Sequence, residues 1–294
     1  MISEFRRIEL DTIDVLRPYT EGAGMHICDY TLGTMLLWRG FFKTEYTIFN
    51  GAMYTRMYDA SGAVYYNLPM ADDVAAATDA LIEQLSEENE ILFTTVPEHM
   101  LGIFEKYGGS AEISEQRDFF DYVYNTSDLA ELKGKRYCGQ RNLISQFKRG
   151  VQDWRVVPID VWSLRDVREF YEELIKSSPP SSEFATAESD TVRDLLQNYD
   201  SYGMLGAVLY ADSRVVGFSV GERVEDTLYV HVEKADRTVK GAYQMMVNSF
   251  AVMYGDGMEY INREEDMGDE GLRTAKLAYH PTLLRKKYVV KIKR

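Results

Sequence analysis

Apolar and polar residues alternate along the chain with two periods, and each period predicts a different kind of element. Residues 45–49 and 52–58 alternate as strands do, and they are joined by Asn50-Gly51, a pair typical of two-residue hairpin turns. A third strand follows, and helical spacing at residues 72–85 predicts an amphipathic helix. These residues therefore predict a three-strand meander followed by a helix. Before residue 126 the same patterns predict further helices at 8–18, 29–38 and 97–107 and strands at 91–96 and 112–124.

The second half of the chain repeats this order of elements. It predicts helices at 126–150, 163–176, 189–199, 238–254 and 270–279 and strands at 154–159, 204–210, 214–222, 227–233, 258–262 and 287–293. Hairpins mixed with crossovers are typical of an α/β fold, here an α+β mixed sheet. We therefore predict two tandem domains, residues 1–125 and 126–294, each with a mixed, mainly antiparallel sheet flanked by helices. No residue-level repeat relates the halves, so this prediction depends on element order alone.

Composition indicates a folded chain without a membrane-spanning segment. Hydrophobic residues make up 45% of the 294 residues, which is enough for a core in each domain. No apolar run approaches the ~20 residues of a membrane helix, and the N-terminus lacks the apolar core of a signal peptide. We expect a cytoplasmic protein. The two cysteines and four histidines have no metal-binding spacing, so no metal is predicted.

Charge is distributed unevenly, which bears on partners. The net charge is −14; residues 1–125 carry 8 Lys and Arg against 21 Asp and Glu, whereas residues 126–294 carry 25 against 26. An acidic first half disfavours tRNA as a partner, although a local basic site in the second half is compatible with an anionic ligand. The basic segment Lys133–Arg149 is compatible with a tRNA acceptor stem or with peripheral contact to membrane phosphates. A solvated helix face is the simpler interpretation.

A turn after the strand at residues 227–233 is the candidate phosphate site. Arg237 and Lys240 precede Gly241 and Ala242 where a helix is predicted to begin. Backbone N–H groups and the helix dipole at such an end favour an anion, and the two cations can share it. We predict that these four residues bind the phosphates of a donor or ligand.

Two residues are candidates for acid–base chemistry. Glu233 closes the strand and can accept a proton from an attacking amine, although an ion pair with Lys234 or Lys240 is the favoured interpretation. Tyr279 can protonate a leaving group, and a buried core tyrosine is the equal alternative.

The polar residues after the predicted strand at 258–262 are candidates for substrate binding. Asn262, Glu264 and Asp266 offer oxygen atoms to a cationic amine, although a loop that caps the next helix explains them equally. On that helix Arg273, Lys276 and His280 recur at spacings of three and four, which predicts one basic face.

Several segments resemble known families. Arg237–Ala242 partly matches the Arg/Gln-x-x-Gly-x-Gly/Ala pyrophosphate loop of GNAT (GCN5-related N-acetyltransferase) proteins, with Lys240 in place of the first glycine. Longer segments resemble an uncharacterised bacterial family related to the C-terminal domain of phosphatidylglycerol lysyltransferase: EKADR (233–237), KGAYQ (240–244), YINREEDMG (260–268) and GLRTAKLAYHP (271–281).

The resemblance implies two tandem GNAT-like domains, the second carrying the site. It also implies an acyltransferase or aminoacyltransferase that moves a group from CoA, another small-molecule or acyl-carrier donor, or tRNA to an amine or hydroxyl such as that of a lipid headgroup. A tyrosine in the region of Tyr279 serves as the acid in many GNAT enzymes. The alternative is a non-catalytic GNAT-fold module that binds a phosphorylated metabolite, which Lys240 at the glycine position favours.

Overall fold

A computed structural model of the chain describes residues 2, 4–59 and 61–293, in which the strands form two mixed sheets flanked by helices. The prediction of an α/β fold with two mixed, mainly antiparallel sheets is confirmed. None of the described helices is long and apolar enough to cross a membrane.

The first sheet is antiparallel except between its fourth and fifth strands. Its order is β1-β2-β3-β4-β5-β14-β6, and the β4–β5 pair is parallel. Asn50 and Gly51 have φ values of 50° and 76°, as the predicted hairpin turn requires. The strands are β1 (Arg6–Arg7), β2 (Glu45–Phe49), β3 (Ala52–Tyr58), β4 (Val64–Tyr66), β5 (Glu90–Pro97), β6 (Ala111–Glu115) and β14 (Lys287–Lys293).

The second sheet has the order β13-β7-β12-β11-β10-β9-β8. The β11–β12 pair is parallel, whereas the meander β8-β9-β10-β11 and the β12–β7 pair are antiparallel. Its strands are β7 (Asp121–Asn125), β8 (Trp154–Pro158), β9 (Leu205–Ala211), β10 (Arg214–Val224), β11 (Thr227–Ala235), β12 (Tyr260–Asn262) and β13 (Leu283–Arg285).

Helices precede and follow the strands in the predicted order, with shifted ends. The segment predicted as a helix from Pro97 is a 3-10 helix over Glu98–Ser110, and the long helix predicted at 126–150 is interrupted before Cys138. The α-helices are α1 (Ile13–Thr20), α2 (Leu32–Trp38), α3 (Val74–Gln84), α4 (Thr126–Glu131), α5 (Cys138–Gly150), α6 (Ser163–Ser177), α7 (Glu183–Gln197), α8 (Tyr199–Tyr202), α9 (Ala242–Tyr254) and α10 (Glu270–Leu277).

The chain folds into two compact units, and neither is one continuous stretch. The first unit runs to Tyr122 and also contains Glu264–Arg273 and the residues from Leu284 onward. The second contains Val123–Arg263 and Thr274–Leu283. The sequence predicts a single boundary between residues 125 and 126. The last strand, β14, instead pairs with β5 and β6 of the first unit, because its apolar side chains complete that core.

Candidate active site

The candidate site of the second unit lies where β11 and β12 stop pairing. Their parallel ladder joins Thr227–Tyr229 to Tyr260–Asn262 and ends there, while β11 continues to Ala235. Arg263 directly follows Asn262, the last paired residue of β12, and Glu233 lies on the part of β11 that extends beyond this ladder. Side chains from two strands thus meet beyond the end of a ladder.

A β-bulge orients the β11 side chains toward this position. The register between β10 and β11 shifts at Val220/Gly221, where Val220 pairs with Val232 and Gly221 pairs with Val230. Side chains alternate along a regular strand, so Val230 and Glu233 would lie on opposite faces without this extra residue. A Cβ atom on Gly221 would lie 2.1 Å from Tyr229 O. Glycine therefore permits the close backbone approach at the bulge.

The pocket at this position is small and mainly apolar. The cavity has a volume of about 10 Å³, which is about what one water molecule needs and far below the ~300–1,000 Å³ of typical ligand pockets. Side chains of α4, α9, β11 and β12 surround two opposite charges: the lining consists of Leu129, Val230, Glu233, Val247, Phe250, Ala251, Ile261 and Arg263.

Glu233 and Arg263 form a bidentate ion pair. Arg263 Nη2 donates to Glu233 Oε1 and Oε2 at 3.1 and 3.0 Å, and Arg263 Nε donates to Oε2 at 3.2 Å. Burial acts to lower the pKa of Arg263, but the charge of Glu233 raises that pKa above its ordinary value. The favoured sequence interpretation, an ion pair, describes Glu233 correctly but names the wrong partner. Lys234 pairs with Glu188 instead.

Tyr279 is a buried tyrosine that packs against this ion pair. The Arg263 guanidinium carbon lies 4.9 Å from the centre of the Tyr279 ring. Burial raises the pKa of Tyr279 well above its ordinary value, and the opposing charge of Arg263 only reduces the shift. The phenol is therefore neutral near pH 7 and can donate a hydrogen bond.

Three buried polar atoms near Glu233 have no hydrogen-bond partner among the residues that the structure describes. They are Arg263 Nη1, Tyr279 OH and Ser219 Oγ, and Ser219 lies directly opposite Glu233 in the β10–β11 ladder. Proteins pair the large majority of their buried polar groups, so several unpaired donors in one place need an explanation. Arg263 lines the pocket, and the Tyr279 ring packs against the same guanidinium.

Lys276 supports Arg263 through the main chain. Lys276 is buried, and its Nζ donates to Arg263 O at 2.5 Å, while Tyr124 OH donates to Lys276 O at 2.8 Å. His280 is exposed, and its ring approaches Arg136 O at 3.2 Å. Internal acceptors thus engage Lys276 and His280, and the predicted substrate-binding role of these residues stays a prediction.

Asp266 and Arg273 bind each other in the first unit. Asp266 is fully buried and accepts from Arg273 Nε at 2.9 Å, Tyr122 OH at 2.5 Å and Arg117 Nη1 at 3.3 Å. Burial acts to raise the pKa of Asp266, but hydrogen bonds from Arg273 and Tyr122 hold it well below its usual range. Asp266 therefore binds side chains inside the first unit and is not exposed to a substrate amine. Asn262 is also fully buried, and Glu264 accepts from Thr34 Oγ1 at 3.4 Å.

The predicted phosphate turn has a defined shape. Arg237 and Lys240 are exposed, whereas Gly241 and Ala242 are buried at the start of α9. Gly241 has a φ of 84°, and a Cβ atom there would lie 2.2 Å from Leu143 O of α5. The approach of α5 therefore requires glycine at this position whether or not a phosphate binds. The anion-binding role of these residues stays a prediction.

Three of the six basic residues in the segment before and along α5 contact acceptors within the second unit. Arg136 binds Asp128 at 2.7 Å, Lys133 binds Glu131, and Arg141 donates to the carbonyls of residues 132 and 134. Side chains held in these contacts are less available to bind the phosphates of RNA or lipid.

One group of charges in the first unit was missed by the sequence analysis. Lys287 Nζ, on β14, is fully buried and lies 2.6 Å from both Asp29 Oδ2 and Asp121 Oδ1. It also lies 3.4 Å from Glu265 Oε2 and 3.3 Å from Cys28 Sγ. We refer to these five residues as the Lys287 cluster. Cys28, Asp121 and Glu265 lie close enough together to hold a metal ion, but the ammonium group of Lys287 already lies among them.

Comparison with known proteins agrees with the fold and the motifs. The crystal structure of a conserved protein of unknown function from Bacteroides thetaiotaomicron VPI-5482 is 30% identical, with all of both chains covered and a TM-score of 0.92. L-PGS from Bacillus licheniformis has a TM-score of 0.67 at 12% identity, covering 98% of this chain and 93% of that one, which shows a shared fold.

Sequence comparison extends this result. An uncharacterized protein of Mycoplasmoides gallisepticum is 25% identical over 175 residues, which span 58% of this chain and 56% of that protein. The family model described as phosphatidylglycerol lysyltransferase, C-terminal, matches residues 21–291. The resemblance stated from the motifs is thereby confirmed, and the chain belongs to the phosphatidylglycerol lysyltransferase C-terminal family.

Proposed function

We propose that the protein transfers an acyl or aminoacyl group from a CoA-borne or tRNA-borne donor to an amine or hydroxyl acceptor. The pocket of the second unit would hold the reacting carbonyl. The observation that carries this proposal is the buried Arg263 Nη1, which lacks a partner on a residue that lines the pocket, with the Tyr279 ring packed against the same guanidinium. Family membership and the fold support the same reaction class.

The chemistry needs donors of this kind. When an amine or hydroxyl attacks the carbonyl carbon, negative charge develops on the carbonyl oxygen, and fixed donors in a site with little water stabilise it. Arg263 is fixed by Glu233 and through its backbone by Lys276. Arg263 would therefore hold the oxygen atom, while Glu233 acts as the residue that positions Arg263.

Tyr279 would carry the proton. The new bond forms between the acceptor and the carbonyl carbon, and the bond to the thioester sulfur or the ribose oxygen breaks. The leaving atom takes the phenolic proton, and the acceptor returns a proton to the phenolate, so the enzyme ends unchanged. Both carboxylate oxygens of Glu233 accept from Arg263, so we assign Glu233 to positioning Arg263 and not to proton transfer.

The turn formed by Arg237, Lys240, Gly241 and Ala242 would hold the phosphates of the donor. Titration calorimetry with CoA and acetyl-CoA tests this assignment, using Lys240→Glu as the variant and Lys176→Glu, on α6, as a control of equal charge change. Binding that Lys240→Glu alone abolishes would support a thioester donor. No binding by the native protein would exclude a CoA donor and leave charged tRNA as the donor to test.

Activity is tested by following loss of the acyl group from acetyl-CoA and from tRNA charged with mixed labelled amino acids, with amines or lipid vesicles as acceptors. Tyr279→Phe is expected to lower kcat about 10²–10⁴-fold, the usual contribution of a positioned acid, with little change in KM. Tyr171→Phe, a similarly buried tyrosine on α6, should have no effect. Ligand binding without transfer from any donor would favour the non-catalytic module.

A further inference from the structure

β8 is the last strand of the second sheet, and one of its sides pairs with no strand. Its partner in the sheet is β9. At its two ends Asp153 O accepts from Asp212 N at 2.8 Å, and Ile159 N donates to Gly206 O at 2.9 Å. Hydrogen-bonded pairs alternate along an antiparallel ladder, so the residues between these ends bond to β9 at every second position. The remaining positions of β8 direct their main-chain groups away from β9.

These free groups form an edge that can accept another strand. The N–H and C=O groups of Trp154 and Val156 and the C=O group of Pro158 form no hydrogen bond with any residue that the structure describes. Charged residues, proline and bulges usually protect such edges from pairing. β8 has one charged residue, Arg155, a regular register and a proline only at its end. β6, at an edge of the first sheet, carries two exposed glutamates instead.

Two apolar side chains beside this edge are unusually exposed. Val161 and Trp162 follow the corner after β8, and they are 71% and 82% exposed, more than any other large hydrophobic residue in the described part of the chain. Asp160 holds this corner, because its Oδ1 accepts from Trp162 N at 3.0 Å and from Ser163 N at 2.8 Å. Exposed apolar side chains on a fixed backbone suit an interaction surface.

A second copy of the chain fits this edge when the two strands pair antiparallel about Val156. Each Val156 N–H then donates to Val156 O of the other copy, and each Trp154 N–H donates to Pro158 O of the other copy. Every free main-chain group except the Trp154 carbonyl thereby gains a partner. Arg155 lies opposite Val157 of the second copy, so no like charges meet. A register centred on Arg155 would instead place two arginines opposite each other.

We propose that β8 is a dimer interface at which two copies of the chain form one continuous sheet across a two-fold axis. A two-fold interface uses the same surface on both copies, as this symmetric register requires. Antiparallel pairing also brings the residues that precede β8 in one copy to the end of β8 in the other, where they can cover Val161 and Trp162. β9 and β10 lie between β8 and β11, so the inference is independent of the proposed function.

Sedimentation velocity of the whole chain over a range of concentrations tests the dimer. The native protein should change from monomer to dimer as its concentration rises. Val157 is half-buried on β8. Val157→Glu places a carboxylate opposite Arg155 of the second copy and should lower the Kd of the dimer about two- to tenfold, whereas Val157→Arg should raise it by a similar factor. These opposite effects are specific to a second copy in the proposed register.

Ile113, on β6, is the matched control. It is 48% exposed on an edge strand of the first sheet, and Ile113→Glu and Ile113→Arg change the net charge by the same amounts. Neither should change the Kd of the dimer. Val156→Pro removes an N–H group that β9 does not use, so it should abolish the dimer without changing the far-UV circular dichroism spectrum. If this variant does not fold, the two Val157 variants still decide.

Three results would overturn the inference. The first is a native protein that stays monomeric at millimolar concentration. The second is a dimer whose Kd changes in the same direction, or not at all, in both Val157 variants. The third is a folded Val156→Pro that still forms the dimer, because the contact would then lie elsewhere on the surface.

Discussion

Replacing Lys287 with methionine removes the only cation of the Lys287 cluster. Its Nζ lies 2.6 Å from both Asp29 and Asp121 and 3.4 Å from Glu265, and the side chain is fully buried. Removing one partner of a buried ion pair typically costs about 3–5 kcal/mol, because the remaining charge is left without compensation. We expect Lys287→Met to lower the free energy of unfolding by about this amount, out of the ~5–15 kcal/mol typical of a folded protein.

Urea denaturation followed by circular dichroism measures this loss, and Lys291→Met is the matched control. Lys291 lies on the same strand and pairs with Glu90 at 3.0 Å, but both side chains are about one-third exposed or more. A pair of that kind contributes about 0–1 kcal/mol. The same substitution four residues along β14 should therefore have little effect.

The loss should also depend on pH. Burial raises the pKa of Asp29 to about 6, although Lys287 acts to lower it. The folded state therefore holds a proton that the unfolded chain releases near pH 4, so stability falls as the pH rises from about 4 to 6. Without Lys287 the pKa of Asp29 rises further. The decrease in the free energy of unfolding caused by Lys287→Met should thus be larger at pH 8 than at pH 5.

Equal destabilisation by Lys287→Met and Lys291→Met at pH 8 would contradict the expected contribution of the buried ion pairs of Lys287. A loss of stability in Lys287→Met that became larger as the pH fell would contradict the expected direction of the pH dependence, because protonation of the carboxylates removes the charge that Lys287 compensates.

Two further predictions concern glycine and cysteine. Gly241→Ala should lower the melting temperature more than Gly257→Ala. Both residues have positive φ, but only at Gly241 would the new Cβ atom lie 2.2 Å from Leu143 O. Scanning calorimetry measures both melting temperatures, and equal decreases would contradict the steric explanation. Cys28 is buried, and burial raises its thiol pKa well above the ordinary value, whereas Cys138 is exposed. Ellman's reagent should therefore modify one thiol quickly in the native protein and the second only after unfolding. A fast reaction that persists in Cys138→Ser would show that Cys28 is accessible.

Hydrophobic periodicity and turn residues predicted most helices and strands. Hydrogen bonds that these patterns do not show determined where the elements begin and end. The helix expected from Thr238 begins at Ala242, because Asp236 accepts from Thr238 N and Val239 N and closes a turn first. Gly241 then adopts a positive φ that a helix does not contain. The predicted helical spacing was correct, but its start depended on turn hydrogen bonds.

The candidate site was only partly predictable. Glu233 and Tyr279 were identified from their positions, and both lie at the Arg263 guanidinium. Arg263 itself was missed, although an arginine directly after a buried strand in a run of acids was a usable signal. Asp266 and Arg273 were expected to contact substrate, yet they bind each other.

The sequence by itself determined the order of the elements, the mixed sheets and the family, because these follow from periodicity, turn residues and motifs within short segments. Tertiary structure alone decided which charged and polar groups meet. Arg263 binds a carboxylate 30 residues away, Arg117 one 149 residues away, and Lys287 a thiol 259 residues away. Such pairs depend on distance and burial, because electrostatic attraction is strong only between groups brought together away from water. No local pattern encodes that distance.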